Sequence, residues 1–500
     1  HNYYNKKDEI MIKYLSTRDN MRTITSSQAI INGLAEDGGL YVPENLEDLK
    51  LDYHEVIRQD YPGMARMVFG KFFSDFDEET IEKVVSRSYT GKFSMEEITP
   101  LAKVEDAFVL ELYHGPTCAF KDVALSALPN LMVESMRMND FQDEILILTA
   151  TSGDTGSAAL HGFSDVPGTK IIVFYPEGGV SETQRLQMVT QDGKNTCAVA
   201  VRGNFDDAQS GVKKLFREIP KPCDGVSLSS ANSINIGRLV PQVVYYFSAY
   251  RQLLDMGEIQ DGDKVNFVVP TGNFGDIMAG YFAREMGLPV GRLVCASNCN
   301  DVLREFLETG HYNRKRDFHK TTSPSMDILV SSNLERLLYF VCGVERTKIY
   351  MDLLAKQGEY TITEDELKKI NEVFRGVACD DAQGAKAIGD VFRAEHYLMD
   401  THTAIAWVAY EECRDNGEEW TKDKTVVLST ASPYKFTRAV LAALGEEECP
   451  TDEECMQKLN QVTQVEAPVP LQGIFERPIC HTDVIDVPDM KSYVVKHAEK

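Results

Sequence analysis

The chain has 500 residues, 43% of them hydrophobic, which is enough for a large globular body and for more than one domain. A formal charge of −25 argues against a nucleic-acid or acidic-membrane partner, and most of the excess acid is expected on solvated surface. The eleven cysteines lack CxxC spacing and a companion histidine cluster, so reduced thiols of a cytoplasmic protein are expected, with no metal site and no disulfide framework.

No apolar stretch approaches the ~18 to 20 residues that cross a bilayer. Residues 1–10 are polar, have no signal-peptide core and precede Met11, so they are expected to be an expression remnant with Met11 as the native start. Residues 11–100 read as a mainly helical N-terminal domain. Thr25-Ser26-Ser27-Gln28 fits a capping box, leading into a helix that ends at Gly33. Asp37-Gly38-Gly39 reads as a turn and Leu40 to Pro43 as a short extended piece.

From about residue 101 to the C-terminus the pattern changes to alternating strand and helix. Phe108 to Leu112 opens it. Glu144 to Leu148 is a mostly apolar run, too short for a helix and typical of a buried parallel strand. Lys170 to Phe174, Lys264 to Val269 and Thr425 to Leu428 repeat that pattern, each with a helix-like stretch after it. The expected fold is α/β, with parallel sheets covered by helices. The acidic stretch Gly445 to Glu454 reads as a solvated insertion, and the Pro-rich end as an extended tail.

In an open parallel sheet, ligands bind beyond the carboxyl ends of the strands, where helix N-termini also point. The loops there are unusual. Gly272-Asn273-Phe274-Gly275-Asp276 offers backbone N–H groups at the mouth of a helix and suits a phosphate, although an ordinary turn capped by Asp276 has the same composition. Ser152, Gly153, Asp154 and Thr155 offer hydroxyls and glycine backbone that can hold a carboxylate, or form a plain N-cap by Asp154 or Thr155. Thr430 can set one hydroxyl against a ring nitrogen or cap a helix. Lys121, between apolar Phe120 and Asp122 and behind the Gly115-Pro116 turn, is placed to lose a proton and form a Schiff base if desolvated; alone, it reads as a surface charge. His402 opens a helix-like run and reads as a capping or packing residue ahead of a catalytic one. Together the loops supply what an enzyme using pyridoxal 5′-phosphate on an amino acid needs.

The motifs HGPTCAFKD (114–122), ILTATSGDTGSAA (147–159), FYPEGGVSETQ (174–184), SANSINIGRL (230–239), PTGNFGD (270–276), SMDI (325–328) and LSTASPYKF (428–436) resemble, in the same order, those of the threonine synthases of the longer type. AIINGLAEDGGLYVPE (29–44) fits as well, so the resemblance spans about residues 11–440. It implies a two-lobed fold of the tryptophan synthase β type with pyridoxal 5′-phosphate between the lobes, and a monomer. It implies that Lys121 carries the cofactor and acts as base, that Gly272 to Asp276 hold its phosphate, and that Thr430 faces its ring nitrogen. It places Ser152 to Thr155 near the substrate carboxylate. An ionised Asp154 cannot attract that carboxylate, so it is expected to orient its loop or cap its helix. Cys118 and Gly237 depart from the family pattern in flanking positions.

The implied reaction turns O-phospho-L-homoserine and water into L-threonine and phosphate. The substrate phosphate needs its own cation, for which Arg238 and Lys435 are the candidates, with a structural salt bridge as the alternative for each. A phospho-lyase releasing 2-oxobutyrate, ammonia and phosphate would use the same residues. A non-catalytic binding protein would be expected to have lost the lysine or a phosphate loop, and this chain has both.

Overall fold

The computed structural model describes residues 10–500, so the stretch read as a remnant lies outside the described residues apart from Ile10. The expected capping box forms: the Thr25 hydroxyl accepts the Gln28 N–H, the Gln28 side chain accepts the Thr25 N–H, and the helix Ser26–Asn32 ends at Gly33 with φ 71°. Two longer helices, Tyr61–Phe72 and Glu78–Tyr89, start from the aspartate N-caps Asp60 and Asp77. Alongside them lies a three-stranded antiparallel sheet of β1 (Tyr14–Ser16), β2 (Asp19–Ile24) and β3 (Tyr41–Pro43), with β1 in the middle. Sequence patterning reveals only β3, because β1 is very short and the mostly exposed β2 carries no apolar period.

Two parallel sheets follow. The strands are β4 (Leu101–Val104), β5 (Ala107–Glu111), β6 (Glu144–Ala150), β7 (Thr169–Pro176), β8 (Thr196–Arg202), β9 (Val226–Ser229), β10 (Val265–Pro270), β11 (Val290–Ser297), β12 (His311–Asn313), β13 (Glu359–Thr361), β14 (Phe374–Ala378), β15 (Thr425–Ser429) and β16 (Val484–Asp486). The larger sheet has the order β14-β11-β10-β15-β5-β4 and is parallel except for its edge strand β4. The smaller has the order β16-β8-β7-β6-β9 and is parallel throughout. Strands β6 to β9 of the smaller sheet thus lie in sequence between β5 and β10 of the larger, and β16 joins it from the C-terminal end. β12 and β13 pair as a separate antiparallel ribbon. β10 is buried along its whole length, as its mostly apolar run requires of a strand covered on both faces, and its one polar residue, Asn266, is hydrogen-bonded to the Trp420 carbonyl.

Two expectations need correction. The C-terminal segment is not an extended tail: β16 docks beside β8, and the helix Met490–Ala498 buries Met490 and Val494 in the smaller lobe's core. The acidic stretch is a loop only to Pro450, because Thr451 caps a helix over Asp452–Thr463 and Arg438 ties the turn down through Asp452 and Glu448. One apolar core runs from Tyr61, Phe69 and Phe72 of the N-terminal helices to Tyr246, Phe267 and Phe274 of the larger lobe, so the N-terminal section packs against the element that carries the glycine loop.

Candidate active site

The loops after β5, β6, β10 and β15 all leave the carboxyl ends of their strands, where parallel-sheet proteins bind ligands. The loops after β5 and β15 are zipped together. Ala119 bridges Ala431, the Phe120 N–H donates to the Thr430 carbonyl at 2.7 Å, and the Ser432 N–H donates to the Cys118 carbonyl at 3.0 Å. Lys121 and the buried Thr430 are thus brought side by side from distant parts of the sequence. Within the β5 loop, Thr117 donates its N–H and its hydroxyl to Asp122 at 2.9 and 2.7 Å, fixing the turn that precedes the lysine.

Lys121 keeps some solvent access at its surface, but its ammonium is densely enclosed by protein. Burial lowers its pKa to about 8; Asp154 and Asp276 oppose the shift, while Arg238 and Lys435 reinforce it. All four groups are therefore within electrostatic reach of the lysine.

The glycine loop after β10 is held from behind. The Ser331 hydroxyl donates to the Gly272 carbonyl at 2.7 Å, and the Asn333 N–H donates to the Asn273 carbonyl at 2.9 Å. Phe274 takes φ 70° at the head of the helix Gly275–Glu285, whose first-turn N–H groups have no intrahelical partner. Gly272 has no room for a Cβ, which would overlap the Ser325 carbonyl. Backbone donors, a helix dipole and a side-chain-free approach fit a phosphate. The buried carboxyl of Asp276 accepts the Ile277 N–H at 2.9 Å, and burial raises its pKa to about 7, so this residue offers an anion its backbone and not its side chain.

The loop after β6 differs from both capping alternatives. Thr151, not Asp154 or Thr155, organises it, its hydroxyl accepting the N–H groups of Gly153 and Gly156 at 2.9 Å each. Gly153 sits at φ 141°, where a Cβ would overlap the Gln184 side chain. Ser152 is exposed and Thr155 half-buried. Asp154 is buried and paired with the Lys435 ammonium at 2.7 Å, which holds its carboxyl well below the usual range against the cost of burial.

The two candidate phosphate cations fare differently. Lys435 is engaged, since besides Asp154 it donates to the Thr117 carbonyl at 2.9 Å. Arg238 is also buried, but among the described residues its Nη1 donates only to the Ala231 carbonyl, at 2.9 Å, and its Nε has no partner. Burial alone lowers its pKa to about 10. His402 is placed for packing. Its Nε2 accepts the Ser325 N–H at 3.1 Å and its Nδ1 lies 2.7 Å from the N-cap Asp400.

Both departures from the family pattern are tolerated locally. Cys118 is buried at φ 63° with its thiol pushed up to about 12 by burial, so it is unreactive. A side chain at Gly237 would press on Leu128, 2.9 Å from the position of its Cβ. Sequence reasoning missed the supporting residues Thr117, Asp122 and Gln184. The signal for the first two was their shared place inside the motif around Lys121.

Three family models match in series: Threonine synthase N terminus over residues 13–89, Pyridoxal-phosphate dependent enzyme over 93–431, and Threonine synthase, C-terminal over 403–494. The chain is 37% identical over 494 residues to threonine synthase of Pseudomonas aeruginosa, covering 94% of this chain and 100% of that protein. It is 36% identical to threonine synthase-like 1 of Homo sapiens, covering 84% of this chain and 58% of that protein. The crystal structure of PLP-bound threonine synthase from Brucella melitensis superposes with a TM-score of 0.86 at 36% identity, covering 98% of this chain and 100% of that one.

Proposed function

This chain belongs to the threonine synthase family of pyridoxal-phosphate-dependent enzymes, and from that premise we propose that it converts O-phospho-L-homoserine and water into L-threonine and phosphate as a carbon–oxygen lyase. The net change breaks the Cγ–O bond, moves a proton from Cβ to Cγ and adds the hydroxyl of water at Cβ.

Bound pyridoxal phosphate supplies an electron sink for the charge that develops when protons leave the substrate carbon chain. The residues do the rest. Gly272, Asn273, Phe274, Gly275 and Asp276 would hold the cofactor phosphate with backbone N–H groups, and the Thr430 hydroxyl would serve its ring nitrogen as a neutral partner. Lys121, with a pKa of about 8, is neutral in a useful fraction of molecules near neutral pH. In that form it would be able to take the substrate's Cα proton as general base.

Ser152, Gly153 and Thr155 receive the substrate carboxylate through neutral donors, while the Asp154 charge that would repel it is neutralised by Lys435. Arg238 takes the substrate phosphate through its unpartnered edge. Closure of the two lobes keeps water out until the carbon chain is ready for it; identical small-angle scattering with and without a substrate analogue would count against that closure. Residues 11–100 serve as the N-terminal domain and 101–500 as the catalytic region. The working form is a cytoplasmic monomer without nucleic-acid or membrane partners, a reading supported by the charge of −25, by eleven unpaired thiols, and by the absence of a membrane-crossing helix among the described residues.

The observation that carries the proposal is that the Lys121 loop is hydrogen-bonded to the Thr430 loop, while a glycine loop without room for a Cβ opens the helix Gly275–Glu285 at the same end of the sheet. NMR of cofactor-loaded protein mixed with O-phospho-L-homoserine tests it. Threonine and phosphate in equal amounts are expected. Phosphate with 2-oxobutyrate would overturn the reading in favour of a phospho-lyase.

A further inference from the structure

Lys435 stands at the junction of the two lobes. It ends the turn Pro433–Lys435 that follows β15 of the larger sheet, and its side chain is 0% exposed. Its ammonium has one acceptor in each lobe: Asp154 Oδ1 at 2.7 Å, at the head of the helix after β6, and the Thr117 carbonyl at 2.9 Å, in the loop after β5. Both contacts are braced. Gln184 donates to Asp154 at 3.3 Å, Gln187 donates to the same Thr117 carbonyl at 3.1 Å, and Thr117 in turn grips Asp122, the neighbour of Lys121.

We propose that Lys435 is a positioning residue that locks the Thr151–Gly156 loop of the smaller lobe against the Lys121 loop of the larger one, fixing the substrate carboxylate relative to the Lys121 amine. The proposal deepens the threonine-forming reading and rests on it for the place of the substrate. It also reassigns Lys435 away from the substrate phosphate, because a cation already shared by a buried carboxylate and a carbonyl would have to abandon one of them to bind a second anion. A buried ion pair is a poor device for stability alone. Its value here is geometric, since a misplacement of ~1 Å at a reacting centre can cost on the order of 100-fold in rate.

The test compares Lys435→Met, Asp154→Asn and the double variant in two ways. Cofactor-loaded proteins are assayed on O-phospho-L-homoserine with inorganic phosphate as competitor, and cofactor-free proteins are followed by thermal unfolding. Each single variant is expected to lose on the order of 100-fold in kcat while phosphate inhibition stays within about 3-fold; KM should rise only in Lys435→Met, where the Asp154 charge is left uncovered beside the substrate carboxylate. The double variant should be no slower than the slower single one, and its cofactor-free form should melt above either single, because it buries no lone charge. A Lys435→Met protein with weakened phosphate inhibition, beside an Asp154→Asn of normal kcat, would overturn the proposal and return Lys435 to the substrate phosphate. If Lys435→Met does not fold, the double variant decides: intact phosphate inhibition with lowered kcat supports the lock, and lost inhibition overturns it. A wild-type protein that makes no threonine would instead overturn the functional reading, while the melting comparison still tests the pair.

Discussion

Gly272 packs so closely against the Ser325 carbonyl that no Cβ fits between them, and the same glycine turns its own carbonyl away from the cleft to the Ser331 hydroxyl. Gly272→Ala should therefore push the loop out of register without touching Lys121. The clash is with backbone, which cannot swing aside, so a cost of roughly 1–3 kcal/mol is expected. It should appear as about 10-fold or more weaker cofactor binding in an absorbance titration, with an unchanged far-ultraviolet circular dichroism spectrum. Wild-type affinity in this variant would show that the loop does not set the cofactor's position.

Lys121 makes the stability of the cofactor-free protein depend on pH. Its folded pKa of about 8 lies below the ordinary 10.5, so between those values the unfolded chain binds more protons and stability rises with pH. Asp154, Arg238, Lys435 and Asp276 face the ammonium from the surrounding loops, and a comparison with Lys121→Met subtracts most of their own titration. Urea denaturation at pH 7 and pH 10 should show wild type gaining on the order of 2 kcal/mol relative to the variant. Parallel behaviour of the two proteins would mean the lysine is not desolvated.

Arg238 is a buried guanidinium with no carboxylate partner, so its removal should not weaken the fold. Arg238→Met is expected to leave the melting temperature of the cofactor-free protein unchanged or raised, and to lower kcat/KM by roughly 100-fold with loss of inhibition by inorganic phosphate. A large drop in melting temperature with phosphate inhibition intact would make this arginine structural.

Arg336 has the opposite profile. Wholly buried, it donates to the Tyr41 carbonyl at 3.0 Å, to Asn333 Oδ1 at 2.5 Å and to the Ile234 carbonyl at 2.6 Å, tying β3 of the N-terminal section to the segment that holds the glycine loop. Arg336→Met strands those acceptors and should cost about 3–5 kcal/mol in urea denaturation. A loss under about 1 kcal/mol would show that the N-terminal section is not held through this residue.

The sequence patterns that worked were strands with mostly apolar runs, most of them ending in glycine- and hydroxyl-rich loops. β5, β6, β7, β10 and β15 are of that kind, and the loops after β5, β6, β10 and β15 carry the candidate site. Three of the strands that patterning does not reveal are interrupted. Gly291 and Arg292 break β11, Arg375 and Gly376 break β14, and serines alternate through the four residues of β9. Such strands are set by their neighbours in the sheet more than by their own composition. At the site, residue type pointed to Lys121 and the glycine loop, but the pairing of Asp154 with Lys435 joins two lobes far apart in sequence and left no local trace. Sequence patterning does not single out Thr151, and it leaves Asp154 between orienting its loop and capping its helix, for a related reason. Both residue types cap helices, and only the fold shows the Thr151 hydroxyl taking the loop N–H groups while Asp154 pairs with a lysine.

The central claim is that Lys121 is the amine on which the cofactor chemistry turns. The most direct test is borohydride reduction of the cofactor-loaded protein followed by peptide mapping. The cofactor mass should be found on the peptide containing Lys121 and should be absent, along with the visible absorption band, from Lys121→Ala. Attachment to Lys435 or any other lysine, or a band that survives dialysis in Lys121→Ala, would contradict the account.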